Sequence, residues 1–412
     1  MKKIILYLVT AGLICCNYAC NKDDPSKNIQ LAKPIDLTLK QGEKTNADNR
    51  FAFSMFKEIS ALNGSNTFFS PLSLNMALGM LYNGASGDTR MEMAEVLGMA
   101  DFTDTEINEY YQKMSQALLN IDQLTEIAIA NSIWYRHILS VKQPFIDVNQ
   151  KYFDAEVKAI DFSKPDAARI INQWCADKTK NKIMEIIQSP IDGDIMMYLI
   201  NALYFKSKWE SKFDKSNTKR DYFTKTDKLT VMANLMEQTA AFPYYADQYL
   251  QCVELPYGNQ AFSMVAILPG DEIDINQLID YLDDAKWQNV VNNLSERQVW
   301  LKLPRFKVEC ELPLNEPVQY TGMKRIFDGF FAEFAHISDT PLCVSEIKQK
   351  TFVEVNEEGT EAAAVTVIGM IPTAAPIFEP VQFFASRPFL YLIKEKSTGA
   401  ILFIGRMDEP IE

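Results

Sequence analysis

The segment Glu357-Glu358-Gly359-Thr360-Glu361-Ala362-Ala363-Ala364-Val365-Thr366-Val367 constrains this chain more than any other. A turn-forming glycine leads into small, uncharged and increasingly β-branched residues, and neither charge nor proline interrupts Ala362 to Ile371. Such a run suits the interior of a sheet, where every N–H is needed and both faces are buried. Its continuation does not. Pro372, Pro376 and Pro380 recur at intervals of four, so this part cannot pair as an interior strand and reads as an extended, solvent-facing loop. One continuous segment therefore joins a strand-competent stretch to an exposed one.

With period two, Thr360, Ala362, Ala364, Thr366, Ile368 and Met370 share one face, and Glu361, Ala363, Val365, Val367 and Ile371 the other. The first face begins small and ends large, as a strand needs if it is to thread a narrow gap before filling a core. This hinge resembles that of the serpins, protease inhibitors whose reactive-centre loop inserts into their own central β-sheet after cleavage. Taken alone, it also reads as an ordinary Ala-rich linker or buried strand.

Four more motifs occur in the family's order. Phe69-Ser70-Pro71-Leu72-Ser73-Leu74-Asn75 running on to Asn83-Gly84-Ala85-Ser86-Gly87 is similar to the family's second helix and the turn after it. Asn201-Ala202-Leu203-Tyr204-Phe205-Lys206-Ser207-Lys208-Trp209, and Glu254-Leu255-Pro256-Tyr257-Gly258 with Ser263 to Pro269, follow. Phe383 to Ile393 resembles the C-terminal signature, with Ser386 where Asp or Asn is usual, and Ala400 to Arg406 reads as the returning strand of a buried hairpin. The resemblance spans about residues 37 to 412. It implies an α+β fold in a single domain, with about eight to nine helices around three β-sheets and an exposed reactive-centre loop at about 357–385.

The pattern along the chain agrees with mixed α and β. It predicts helices near 48–62, 72–83, 89–97, 105–120, 144–152, 166–187 and 275–293, and strands at 127–135, 196–206, 299–312 and 343–356. In the family, 196–206 and 343–356 are the neighbours that part to admit the loop.

The resemblance implies the following mechanism. A serine protease, and in some cases a cysteine protease, attacks the exposed bond as a substrate and is acylated by the residue on its N-terminal side. The freed strand then adds to the sheet, gaining main-chain hydrogen bonds of ~0.5–1.5 kcal/mol net each together with apolar burial. About a dozen residues at these values amount to roughly 10 kcal/mol or more, comparable to the stability of a whole domain. The family spacing from Gly359 places the scissile bond at Thr373-Ala374, with Met370, Ile371 and Pro372 in the recognition stretch; the long C-terminal half of the loop keeps Met370, Ile371 and Ala374 open as alternative contact points. Small or β-branched groups here suit an elastase-like or subtilisin-like target. Trypsin-like enzymes are disfavoured, because no Lys or Arg lies between Ala362 and Ser386.

Residue by residue, the resemblance assigns Glu357, Gly359, Thr360, Glu361, Ala362, Ala363 and Ala364 to the hinge. Ser70, Ser73 and Asn201 match the polar cluster beneath the opening sheet, and Gln349 stands where His is common, keeping a donor and an acceptor without titrating. Trp209 matches the aromatic at the point of first entry, although a buried Trp is often simply core. Arg305 stands where the family has a basic residue and is a candidate partner for Glu357; a plain surface ion pair, contributing ~0–1 kcal/mol, is the alternative. A non-inhibitory serpin acting as a surface binding module is the competing function. The small, uncharged Ala362-Ala363-Ala364 argues against it.

The N-terminus reads as a separate unit. Met1-Lys2-Lys3 and the apolar run Ile4 to Ile14 form a basic region and a hydrophobic core too short for a span of ~20 residues, hence a secretion signal over 1–19. Ala19-Cys20 resembles a bacterial lipoprotein cleavage site, leaving Cys20 to carry lipid; Asn17 departs from the usual Leu, and Leu13 is placed correctly for Cys16 instead. Asn21-Lys22-Asp23-Asp24 looks like a tag for the outer face of the outer membrane, and 20–36 reads as a lipidated tether. The expectation is thus a monomer, surface-exposed on the outer membrane, with the lipid its only membrane contact.

Composition excludes other classes. A formal charge of −13 disfavours nucleic acid and anionic membrane surfaces as partners, and the helix near 105–120 offers only Lys113 to a polyanionic activator. Cys175, Cys252, Cys310 and Cys343 are irregularly spaced, read as single buried thiols within helix or strand, and form no CxxC. With His137 and His336 the only histidines, both read as structural, no metal or cofactor is expected and the acid–base apparatus of an enzyme is missing.

Overall fold

The computed structural model describes residues 30–360 and 379–412. In chain order the first half contains α1 (Leu39–Asn63), β1 (Thr67–Phe69), α2 (Pro71–Tyr82), α3 (Gly87–Val96), α4 (Asp104–Asn120), β2 (Glu126–Arg136), α5 (Gln143–Phe153), β3 (Glu156–Ile160), α6 (Ala167–Lys178) and β4 (Met197–Lys208). There follow β5 (Lys219–Thr224), β6 (Thr230–Ala246), β7 (Leu250–Pro256), β8 (Phe262–Pro269), α7 (Ile275–Tyr281), α8 (Asp284–Asn293), β9 (Ser295–Pro304) and β10 (Phe306–Pro313). The last elements are α9 (Asn315–Tyr320), β11 (Lys348–Asn356), β12 (Gly359–Thr360), β13 (Val381–Phe384), β14 (Phe389–Glu395) and β15 (Ile401–Met407).

Local chemistry accounts for the helix ends. Thr38 and Gln41 form a reciprocal capping box at α1, which stops at left-handed Gly64, and Thr103 and Glu106 do the same for α4. Ser70 caps α2 by accepting from Ser73 N–H, with Pro71 in the first turn, where a missing N–H costs nothing. Helix α1 begins nine residues before the apolar period suggests, because polar packing replaces apolar packing there. Lys44 and Asp48 pair in its buried interior, and the hydroxyls of Tyr110 and Tyr111 of α4 donate to the Asp48 carboxylate. Burial pushes the Asp48 carboxyl above its usual range, with Lys44 opposing the shift.

The strands form two continuous sheets among the described residues: a six-stranded one in the order β10-β11-β12-β4-β2-β3, and a larger one, β1-β15-β14-β8-β7-β6-β9-β13, with β5 alongside β6. The third sheet of the sequence reading is not separate, since the 17-residue β6 pairs with β5 and β9 and, at its far end, with β7. Strands β8, β14 and β15 are buried along their whole length and form the centre of the core, as strands covered on both faces must be. Strand β10 alternates buried and exposed positions and carries a solvated face.

Four boundaries differ from the periodic reading. Helix 166–187 stops at Lys178, where Lys180 and Asn181 turn left-handed and Asn181 N–H closes onto Ala176. Helix 275–293 divides at Leu282, and the Asp283 side chain caps a new start. Strand 299–312 is two strands, leaving one sheet for the other at Arg305. Strand 343–356 begins only at Lys348, and Cys343, expected buried within it, is exposed on an irregular stretch, whereas Cys175, Cys252 and Cys310 are buried. The tether reading also shortens: Ala32 N–H bonds Asn259 O at 3.0 Å and Ile35 N–H bonds Ser397 Oγ at 2.9 Å. No helix among the described residues is long and apolar enough to cross a membrane.

Candidate functional site

Strands β4 and β11 run parallel and stand apart. Among the described residues they are joined only through β12, where Thr360 pairs with Ser207 on one side and Val355 on the other, and Gly359 pairs with Lys208 and Asn356. The first residues of the hinge are thus already antiparallel members of the sheet. Gly359 is required here: its φ is +149°, and a Cβ would lie 2.1 Å from Ser207 O and 2.6 Å from the Lys208 Cα.

Around this head of the opening, side chains pin the loop root from three directions. Trp209 stacks on Tyr257 at 4.5 Å, donates its indole N–H to Asn356 O at 2.8 Å, and donates its backbone N–H to Glu358 O at 2.9 Å. Tyr257 shares a 2.7 Å hydrogen bond with the Thr360 hydroxyl, and burial pushes its phenol pKa far up, so it remains neutral. Trp209 is therefore both a core residue and a direct contact of the loop root.

Glu357 is 2% exposed. Its Oε1 accepts from Arg305 Nε at 2.7 Å and also from Arg305 Nη2 and the Thr218 hydroxyl. Burial pushes the carboxyl up, but these donors outweigh it and hold Glu357 below the ordinary carboxylate range. The plain surface ion pair is set aside, because the acid is enclosed and charge-assisted bonds are worth more there. Glu358 behaves alike: burial opposes, and Lys212 at 2.9 Å with Lys215 at 3.3 Å prevails, leaving its pKa lowered. Arg305 reaches Glu357 because the chain changes sheets at that residue.

Six residues down from the Ser207–Thr360–Val355 level, Asn201 and Gln349 stand at the same height across the opening, on the order of 20 Å away. Their side chains do not bond each other; helix α2 connects them. The Gln349 carboxamide accepts from Ser70 N–H at 2.7 Å and donates to Ser70 O at 3.0 Å. The Ser70 hydroxyl donates to Leu402 O at 2.7 Å, and Ser73 Oγ donates to Asn201 O at 3.4 Å. Asn201 Nδ2 donates to Asn131 Oδ1 at 2.6 Å, while its Oδ1 accepts no hydrogen bond among the described residues. The start of α2 is thus a strap across both strands.

The structure brings together Glu357, Gly359, Thr360, Trp209 and Arg305 at the head, and Ser70, Ser73, Asn201 and Gln349 at the foot. Glu361, Ala362, Ala363, Ala364, Met370, Ile371, Pro372, Thr373, Ala374 and Cys20 lie outside the described residues. Sequence reasoning gave no role to Thr218, Lys212, Lys215 or Asn131, which belong to no recognised motif. Tyr257 was within a recognised motif, and its hydroxyl next to small neighbours was the available signal.

The fold and this parted sheet define the class: the chain belongs to the serpin (serine protease inhibitor) family, whose model matches residues 46–410. It is 33% identical to Iripin-2 of Ixodes ricinus over 90% of this chain and 94% of the relative. It is likewise 33% identical to an uncharacterized serpin-like protein of Thermococcus kodakarensis over 100% of this chain and 99% of that one. Among solved structures, the native state of the thermophilic serpin tengpin superposes with a TM-score of 0.83 at 29% identity, covering 93% of this chain and 98% of that one. Family membership supports a protease-inhibitor role, not a catalytic one.

Proposed function

We propose that this chain inhibits serine proteases of the elastase-like or subtilisin-like class by acting as a suicide substrate, and that it does so as a lipid-anchored protein on the outer membrane. The observation that carries the inhibitory reading is the placement of Gly359 and Thr360 between β4 and β11 above an opening that no other strand bridges among the described residues. The protease serine Oγ attacks the Thr373 carbonyl, the Thr373–Ala374 bond breaks, and the amine of Ala374 leaves with the proton that the protease's base took from the serine. Continued in the register of Thr360, Ala362, Ala364 and Thr366 would face the α2 strap, with Thr366 at the level of Asn201 and Gln349. A threonine hydroxyl there could donate to the unsatisfied Asn201 Oδ1.

Incubation with pancreatic elastase tests the reading. The expected product is an SDS-resistant adduct with the protease serine esterified to Thr373, identified by mass spectrometry. Clean cleavage with the elastase fully active would favour a binding module instead.

For the anchor, the supporting features are the short hydrophobic run, Ala19-Cys20 and the following Asn21 to Asp24. Because Ala32 and Ile35 are bonded to the body, a tether anchored at Cys20 would have about eleven residues before the first of these contacts and a reach of at most ~40 Å. Lipid labelling in a bacterial host should be lost in Cys20→Ala and kept in Cys16→Ala; the opposite pattern moves the anchor to Cys16.

A further inference from the structure

At the foot of the opening, below the Asn201–Gln349 level, lies a cavity of about 340 Å³. That is within the range of small-molecule sites, ~300–1,000 Å³. Its walls are apolar: Leu74 and Leu78 of α2, Leu199 of β4, Phe334, Ile337, and Leu342 of the irregular stretch before β11. Two carboxylates stand among the polar groups of the lining. Asp194 and Glu346 lie on it, Glu346 engages Lys348 at 3.1 Å, and Tyr198 and Ser345 add hydroxyls to the lining.

Apolar walls with two carboxylates on the lining select an apolar molecule that carries a hydrogen-bond donor, neutral or cationic; a carboxylate would meet Asp194 and Glu346 with like charge. The cavity also occupies the lower course between β4 and β11 that an inserting strand must take. We propose that this cavity is a binding site for a small apolar N–H donor, and that its occupant prevents full insertion, so that the protease cuts the loop and escapes. The regulatory half of this proposal rests on the trapping function above; the binding half does not.

The probe is N-phenyl-1-naphthylamine, an apolar fluorophore with one N–H donor, titrated into the full chain before and after the loop is nicked by elastase. Saturable one-to-one binding to the intact chain, weakened at least tenfold in the nicked chain, is expected, because the inserted strand fills the same space. Equal binding to both forms, or no saturable binding, would overturn the site. Ala77→Phe, which enlarges a residue lining the cavity, should abolish probe binding while the variant stays folded by circular dichroism; undiminished binding to the folded variant puts the probe elsewhere. Should that variant fail to fold, the intact-versus-nicked comparison still decides. With probe present, the number of inhibitor molecules consumed per elastase trapped should rise at least threefold, with loop cleavage no slower; an unchanged number refutes the regulatory half. A chain that forms no adduct even without probe would end the trapping function and with it the regulatory half, while its probe titrations still decide the site.

Discussion

The head and the foot of the same opening are held in opposite ways. At the head, two loop residues complete the sheet and are surrounded by charge-assisted bonds from Arg305, Lys212 and Lys215 and by the Trp209–Tyr257 stack. At the foot, β4 and β11 carry no strand between them among the described residues, and α2 bridges them through neutral hydrogen bonds at Ser70 and Ser73. The head is closed and titratable; the foot is hollow and held by amides and hydroxyls. A strand entering from the head therefore meets its resistance lower down, and it can be rewarded there with newly buried surface and backbone bonds.

The contrast can be broken most severely by nicking the loop. If the foot is then filled, the cut chain gains roughly 10 kcal/mol, and its melting temperature should rise on the order of 10–20 °C. Calorimetry of intact and elastase-cut protein measures this, and coincident melting would mean that the opening stores nothing.

Gln349→Ala comes next. It strands the buried N–H of Ser70, while the Ser70 carbonyl keeps its bond from Leu74 N–H, at about 1–3 kcal/mol for the unsatisfied donor. Lower denaturation midpoints and loop-linked oligomers on mild heating are expected; an unshifted midpoint would show that the α2 strap contributes little.

At the head, Glu357→Lys places a cation against Arg305 in an enclosed position, at a cost of about 2–3 kcal/mol after allowance for the partial exposure of Arg305. Premature opening and polymerisation should follow, checked by native gels after mild heating; a monomeric, fully inhibitory variant would count against it. Acid should mimic this change more gently. The folded pKa values of Glu357 and Glu358 are depressed, so their contribution is complete above the unfolded value of about 4.5. It is lost as pH falls through the lower folded values. Hydrogen-exchange protection at the loop root, taken relative to the intrinsic rate at each pH, should therefore fall below about pH 4.5, while the Gln349–Ser70 contacts, which do not titrate, stay protected. Equal pH response at both ends would erase the contrast.

The smallest effect belongs to Tyr257→Phe, which removes one hydroxyl contact to Thr360 and keeps the stack on Trp209. About 1 kcal/mol should be lost in urea titrations of the intact chain, together with a modest acceleration of loop insertion. A loss well above this would mean that the hydroxyl organises more of the head than Thr360 alone.

How much of this was legible in the chain differs from element to element. Helices α2 to α5 and strands β2 and β4 lie close to their periodic limits, because apolar spacing and capping residues act over a few neighbours. The start of α1 was hidden, since Lys44, Thr45 and Asp48 look like surface and are buried only because Tyr110 and Tyr111 of α4 receive them. The break at Arg305 and the late start of β11 were hidden for a related reason: β propensity does not say which sheet a strand joins, or whether a neighbour exists at that height.

The hinge composition, the proline-interrupted continuation and the family motifs are properties of local covalent sequence, and they alone determined that a strand-competent run is followed by a stretch that proline keeps out of an interior strand. Only the tertiary structure decided that Gly359 and Thr360 already pair between β4 and β11, that Glu357 is enclosed by Arg305 and Thr218, and that α2 bridges Asn201 and Gln349. Apart from the short turn back onto β11, those facts join residues from about fifty to nearly three hundred positions apart. Their energies come from desolvation and mutual geometry, which exist only after the chain has closed on itself.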